Sequence, residues 1–350
     1  MKRWLTGCVA IGLISLTGFS QKKQPIPEAW DKPFHHKLTD VILSTEIGGF
    51  RIVERVDYSP LDGDPGHFSV RYVDDTTKID VYFSKPERPA KESDNPLQAH
   101  IDAVGGVVGA IEMLAKQGRY YDVEVDESGT VSKFGGEGKD ELTMLEMALK
   151  FRQADPNEAA GGLGDVKRES SIAITFFKDY QIKVRHTFML AANQEAVEAR
   201  REKRDAFHDE LRALIGEVLI RDEVLQAIED LKKTPDDKEK IGFVVGYAEA
   251  SKLIQITVSE KLMPFFKEDD FKGATDLLAA FIAGNMEAQF EKTDFSSRNF
   301  EGVSQMIDAY SILKSQSKTD TNKTMDSWIE ARKTGKLEGI IKKLESEIKE

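Results

Sequence analysis

From Trp4 to Phe19 the chain carries no charged residue, and Leu5, Val9, Ile11, Leu13, Ile14 and Leu16 dominate. Lys2 and Arg3 precede the run, and the small residues Gly18 and Ser20 close it before the polar Gln21, Lys22 and Lys23. Positive start, apolar run and small-residue end form a secretory pattern. Met1 to Ser20 is therefore expected to be a cleaved signal peptide and the protein to be periplasmic or secreted. The run is shorter than the ~20 apolar residues a bilayer span needs, so no stable membrane insertion is expected after cleavage. Leu5-Thr6-Gly7-Cys8 matches a bacterial lipobox in letters, but Cys8 stands near the start of the apolar run rather than after it. Pro25, Pro27 and Pro33 then break regular structure, and residues 21–37 are expected to be a leader arm pinned by Trp30 and Phe34.

Alternation begins at Gly49. Phe50 to Val56, Phe68 to Val73 and Ile79 to Phe83 are rich in β-branched and aromatic residues and are separated by turn-forming stretches, which predicts an antiparallel meander. Leu97, Ile101, Val104, Val108, Ile111 and Ala115 fall on one helical stripe, with Pro96 at the start and Gly118 as cap. Tyr120 to Val125 reads as a strand. Leu142 to Phe151 fits a helix on Leu142, Leu145 and Leu149 and also fits a strand, with the helix preferred. Ser171 to Phe177 and Ile182 to Phe188 alternate on either side of a short linker, a hairpin signature. Asn193 caps a predicted helix to Val218.

From Ile220 the spacing turns helical. Helices are expected around Val224 to Leu231 (ended by Pro235), Ile241 to Ala250, Phe271 to Phe290, Phe300 to Leu313 and Leu337 to Ile348, with a short strand at Leu253 to Val258. The fold class is α+β: an antiparallel sheet domain with packed helices over 38–218, then a mainly α-helical domain over 219–350.

Composition narrows the partners. The 350 residues carry a net charge of −12. That argues against nucleic acid and anionic lipid, which need a basic face. Cys8 is the single cysteine and leaves with the leader. The mature chain then has no disulfide and no cysteine-based metal site.

The stretch Gly49-Phe50-Arg51 leading to Tyr58, then Val70-Arg71-Tyr72 and Val81-Tyr82-Phe83, resembles the PsbP/Mog1-like α/β/α sandwiches, over Leu38 to Val218 and by the order of elements. The resemblance implies a fold with diverse binding roles and carries over no functional residue.

Candidate chemistry is sparse. Asp62, Asp64 and His67 share a turn that could offer oxygens to a hard cation, but an EF-hand loop from Asp62 needs Glu at its twelfth position and has Val73. It reads as a solvated turn. His35-His36 has no further metal ligand at fixed spacing and reads as an exposed pair. His186, beside Lys183 and Arg185 in a strand, is the histidine to test first for acid–base work, although a core-edge position is the simpler expectation. His100 and His208 read as surface or hinge positions. Gly105, Gly106 and Gly109 are expected to let the first helix pack closely on the sheet. Gly135 to Lys139 and Gly161 to Gly164 are loops that match no phosphate-binding motif. Arg200 to Arg204 reads as a solvated face offset by Glu195, Glu198, Asp205 and Asp209. Asn322-Lys323-Thr324 spells a glycosylation acceptor.

No catalytic, cofactor or metal residue is assigned, and no cofactor is expected. The leading expectation is a non-catalytic binding or assembly protein with a protein or peptide partner. The alternatives are an envelope enzyme built from scattered residues around His186, His67 and Asp64, and a sensor or inhibitor of an envelope enzyme.

Overall fold

The computed structural model describes residues 32–349 except 75–76, 87–95, 127, 137–140, 154–165, 191–192 and 269. The expected signal peptide (residues 1–20), residues 21–31 of the expected leader arm and the Gly161 to Gly164 loop lie outside the described residues. The chain divides into two compact units, one ending at Gly216 and one beginning at Glu217.

The first unit is built on antiparallel strands. Phe34–His36 (β1) pairs with Val41–Leu43 (β2) in a small ladder. The main sheet holds, among the described residues, Glu46–Ile47 (β3), Phe50–Asp57 (β4), Phe68–Val73 (β5), Lys78–Ser84 (β6), Tyr120–Val125 (β7), Thr130–Gly135 (β8), Glu141–Gln153 (β9), Val166–Phe177 (β10) and Tyr180–Met189 (β11). Their order is β3-β4-β5-β6-β11-β10-β9-β7, and β8 shares the outer side of β9 with β7. The helix Pro96–Lys116 (α1) follows the meander, and Gln194–Lys233 (α2) follows the hairpin.

The two-residue period of the strands sorts the faces. Ile172 and Ile174 of β10 and Leu145 and Leu149 of β9 face Val104, Ile111 and Leu114 of α1. The alternate residues, among them Ser171 and its register partner His186, face the other way. There Phe207 of α2 meets Phe50 and Tyr72 edge-on, with ring centroids 5.8 and 5.2 Å apart.

Several expectations need correction. Residues 142–151 belong to strand β9, which is paired on both sides. It buries Leu145 and Leu149 on one face and Met144 on the other, and burial of both faces hides the alternation that marks a strand. The leader arm gives way to structure before residue 37, since β1 buries Phe34 and His36. The helices expected on either side of Ile220 are one helix, α2, whose residues 219–222 are helical without a break.

α1 is apolar and long enough to pass for a membrane span by composition, yet its buried residues pack on the sheet. Gly105 and Gly109 do not serve that packing, since a Cβ at either would meet nothing within 4 Å. Gly105→Ala and Gly109→Ala are therefore expected to stabilise the protein by up to about 1 kcal/mol each, read from urea midpoints.

The second unit is helical: Lys238–Ala250 (α3), a 3₁₀ turn at Pro264–Lys267, Ala274–Lys292 (α4), Asn299–Ser315 (α5), Lys323–Lys333 (α6) and Leu337–Lys349 (α7). Val224, Ile228 and Leu231 of α2 pack with Val244 of α3 and Met286 of α4, and a second cluster joins Phe281, Met306, Tyr310 and Trp328. Leu253 to Val258 is not a strand. The Gln289 amide serves Gln255 on both sides, accepting from its N–H at 3.2 Å and donating to its carbonyl at 2.8 Å. That replaces the ladder a strand would need. Glu217 is buried and accepts from Ser251 Oγ and the Lys252 N–H, both at 2.8 Å. Burial pushes its carboxyl above the usual range despite these bonds.

α4 and α5 cross on glycine. A Cβ on Gly302 would lie 2.8 Å from the Phe281 carbonyl oxygen, and one on Gly284 would lie 2.7 Å from that of Glu301. Backbone cannot yield as a side chain can. Gly302→Ala is expected to cost about 2–3 kcal/mol, seen as a lowered unfolding midpoint. Asn322 is buried, caps α6 by accepting from the Met325 N–H at 3.0 Å, and donates to Glu268 Oε1 at 2.6 Å. Its amide is engaged in the fold and is not an exposed glycosylation acceptor.

Candidate functional site

A cleft of about 630 Å³ lies in the first unit between α2 and the β7–β10 part of the sheet. Its helical wall is one stripe: Arg201, Arg204, His208 and Arg212 recur at three- and four-residue spacing and so share a face. Two glutamates answer from the sheet. Glu169 on β10 is buried to 2% exposure and takes a fork from Arg201, Nε to Oε1 at 3.0 Å and Nη2 to Oε2 at 2.7 Å. Glu146 on β9 lies 3.0 Å from His208 Nδ1 and 3.4 Å from Arg204 Nε. Burial alone would raise the Glu146 carboxyl. The bond to His208 and the charges of His208, Arg204 and Arg212 outweigh that and hold it below the usual range.

Two readings from sequence change here. Arg200 to Arg204 is not simply a solvated face, since Arg201 and Arg204 turn to the sheet. His208 is neither surface nor hinge but 1% exposed. The carboxylates that hold them were not singled out in the sequence. A signal was present, because Glu146 interrupts the apolar run Leu142 to Leu149 and a carboxylate on the inner face of a strand needs a cation. Preference for a helix over that run hid it.

The remaining walls come from the β7–β8 edge and carry both charge and hydroxyl: Glu124, Asp126, Ser132 and Thr130, with Lys150 on β9. Gly129 lets this edge close on β9, since a Cβ there would lie 3.1 Å from the Glu146 carbonyl oxygen.

His186 sits behind the cleft rather than in it. It is fully buried, 6.1 Å from the Phe50 ring and 5.2 Å from that of Phe188, and neither ring nitrogen has a hydrogen-bond partner. Burial, then the neighbouring His208 and Arg204, lower its pKa to about 3. A base needs a proton path and a pKa near working pH, and His186 has neither. His67 packs on Tyr58 at 4.7 Å, far from that setting in character. Asp64 Oδ1 accepts from the Gly66 N–H at 3.1 Å, and Tyr180 packs against Gly66, so the turn is a packed one and not merely solvated. His36 is likewise buried, stacked on Phe83 at 4.3 Å and 3.0 Å from the Gly66 carbonyl oxygen, which corrects the reading of an exposed histidine pair. His100 is buried against Phe176 with Nε2 2.9 Å from the Thr143 carbonyl oxygen. The residues of the alternative enzyme reading are thus not drawn together. Among the described residues no three His, Cys, Asp or Glu side chains are grouped to hold a metal ion.

Comparison with protein-family models and with curated proteins gives no match. The geometry of the cleft alone therefore carries the functional reading.

Proposed function

We propose that the chain is an exported, non-catalytic binding or assembly protein whose sheet domain receives a peptide segment in the cleft beneath α2. The observation that carries this is the state of the cleft's charges. Its volume falls within the ~300–1,000 Å³ of ligand sites. Its innermost groups hold each other, Glu169 with Arg201 and Glu146 with His208 Nδ1, while His208 Nε2 is buried without a hydrogen-bond partner. Groups tied to one another in this way shape a wall of the cleft. Both signs of charge and several hydroxyls line the opening, which suits the mixed donors and acceptors of a peptide. The element order resembling the PsbP/Mog1-like sandwiches agrees with a binding role.

Two measurements test the proposal. Export is tested by mass spectrometry of the envelope fraction, where a mature N-terminus near Gln21 is expected and an intact Met1 in the cytoplasm overturns it. Peptide binding is tested by NMR titration of the ¹⁵N-labelled chain with pooled peptides. Shifts gathered at Ser132, Lys150 and Arg204 and lost in Arg204→Ala support the reading. Saturation of those pools with every shift elsewhere sinks it.

A further inference from the structure

The face of the sheet that α1 packs on also carries a cluster of cations, away from the helix. Register places them. Arg71, Asp80 and Arg185 are direct neighbours across β5, β6 and β11. Lys78 stands opposite Thr187, which stands opposite Ser170. Arg168 is two residues from Ser170 on β10, and Lys183 is two from Arg185 on β11, so all share this face. Strand spacing of ~4.8 Å and a two-residue step of ~6.8 Å put Lys78 about 8 Å from Arg185 and about 12 Å from Arg168, with Lys183 one step further along β11 on the side away from Arg168.

Arg71 is spoken for, because its Nε lies 2.6 Å from Asp80 and its Nη1 bonds Glu54. The other four are not. Among the described residues no carboxylate lies within ion-pair distance of Lys78, Arg168, Lys183 or Arg185. The Nε atoms of Arg168 and Arg185 are packed away with no hydrogen-bond partner. Lys183 is held over the Tyr82 ring at 4.8 Å. Yet solvent reaches the group, with Lys78 exposed and the other three partly so. In a chain of net charge −12, Lys78, Arg168 and Arg185 side by side on one face without an ion pair are the reverse of what solubility alone selects.

We infer that this face of β6, β11 and β10 is an anion site for a compact multivalent oxyanion, a phosphate ester or a tricarboxylate, with Lys78, Arg168 and Arg185 as its donors. The two guanidiniums are held by packing rather than by ion pairs, so their outer N–H groups stand ready for oxygens. Electrostatics agree with this placement: burial and the charges of Arg71, Arg185 and Arg168 lower the Lys78 pKa against an opposing pull from Asp80, and burial with Arg185 brings that of Lys183 to about 8, again against Asp80. A bound anion relieves that repulsion. Size decides against a long polyanion. Lys78, Arg168 and Arg185 stand about 8–14 Å apart along the sheet, near the ~10 Å screening length at 0.1 M salt, so a polymer would run beyond them onto a net acidic protein. The site is separate from the cleft beneath α2, which lies on the opposite face.

Calorimetric titration of the full chain with pyrophosphate and with citrate, at fixed ionic strength, tests this. Saturable binding is expected, weakened at least tenfold by Arg185→Gln and by Lys78→Gln and unchanged by Lys133→Gln or by Arg204→Ala. Lys78→Gln replaces an exposed side chain, so it remains a valid test should Arg185→Gln misfold. Heat abolished equally by chloride, or binding indifferent to both variants, overturns the site. Oligoglutamate binding more than tenfold tighter than either small anion would assign the face to an acidic protein segment and overturn the small-anion reading. Because Arg204→Ala separates the two faces, failure here leaves the peptide cleft standing, and the converse holds.

Discussion

His186→Phe is expected to leave the protein folded and to flatten its loss of stability in acid. In the folded chain His186 stays neutral down to about pH 3, because its ring is buried among Phe50 and Phe188 with His208 and Arg204 close by. In the unfolded chain it takes a proton near pH 6.5. Between those values the unfolded state binds more protons, so stability falls as pH falls, by ~1.4 kcal/mol per unit. From neutral pH to pH 4.5 that amounts to about 3 kcal/mol. Phenylalanine has no such proton and removes two buried nitrogens that lack partners, so near neutral pH the change is expected to be neutral or stabilising. Urea unfolding of both proteins from pH 8 to 4 measures the slope. Glu146, held low, loses stability in the same direction, whereas Glu217, held high, works against it. The difference between variant and parent isolates His186, and parallel profiles would refute the assignment.

Arg201→Ala carries the second large effect. It strips the fork from Glu169, whose carboxylate is almost wholly buried. Leaving a buried charge without its partner costs about 3–5 kcal/mol. The double change Arg201→Ala with Glu169→Gln is expected to recover a good part of that loss, since no net charge then remains inside. A single variant as stable as the parent by thermal melting would show that water reaches Glu169.

Wherever one face of a strand is wet, the sequence announces the element: β5 alternates between Val70, Tyr72 and the outward Arg71, and the β10–β11 hairpin does the same around a short turn. Legibility fails where both faces are covered. β9 buries Met144 and Leu145 on opposite sides, so its apolar spacing mimics a helix. The same failure concealed the cleft, because Glu146 is a wall residue only once that run is a strand. The histidines misled for another reason. His36, His100, His186 and His208 are all buried, each against an aromatic ring or an ion partner from a distant stretch of chain. Local sequence cannot show such partners. The cation cluster is legible only through register, since Lys78, Arg168 and Arg185 come together by pairing of strands far apart in the chain.

The two margins of the sheet have a consequence for colloidal behaviour. One ends in β3, only two residues long. The other is split between β7 and β8, and β7 is further interrupted by the irregular register between Tyr121 and Glu124 and the left-handed Asp122. A stranger's backbone therefore finds no long, straight template at either side. Short and broken borders of this kind are expected to disfavour recruitment of further copies of so wide a sheet into fibrils.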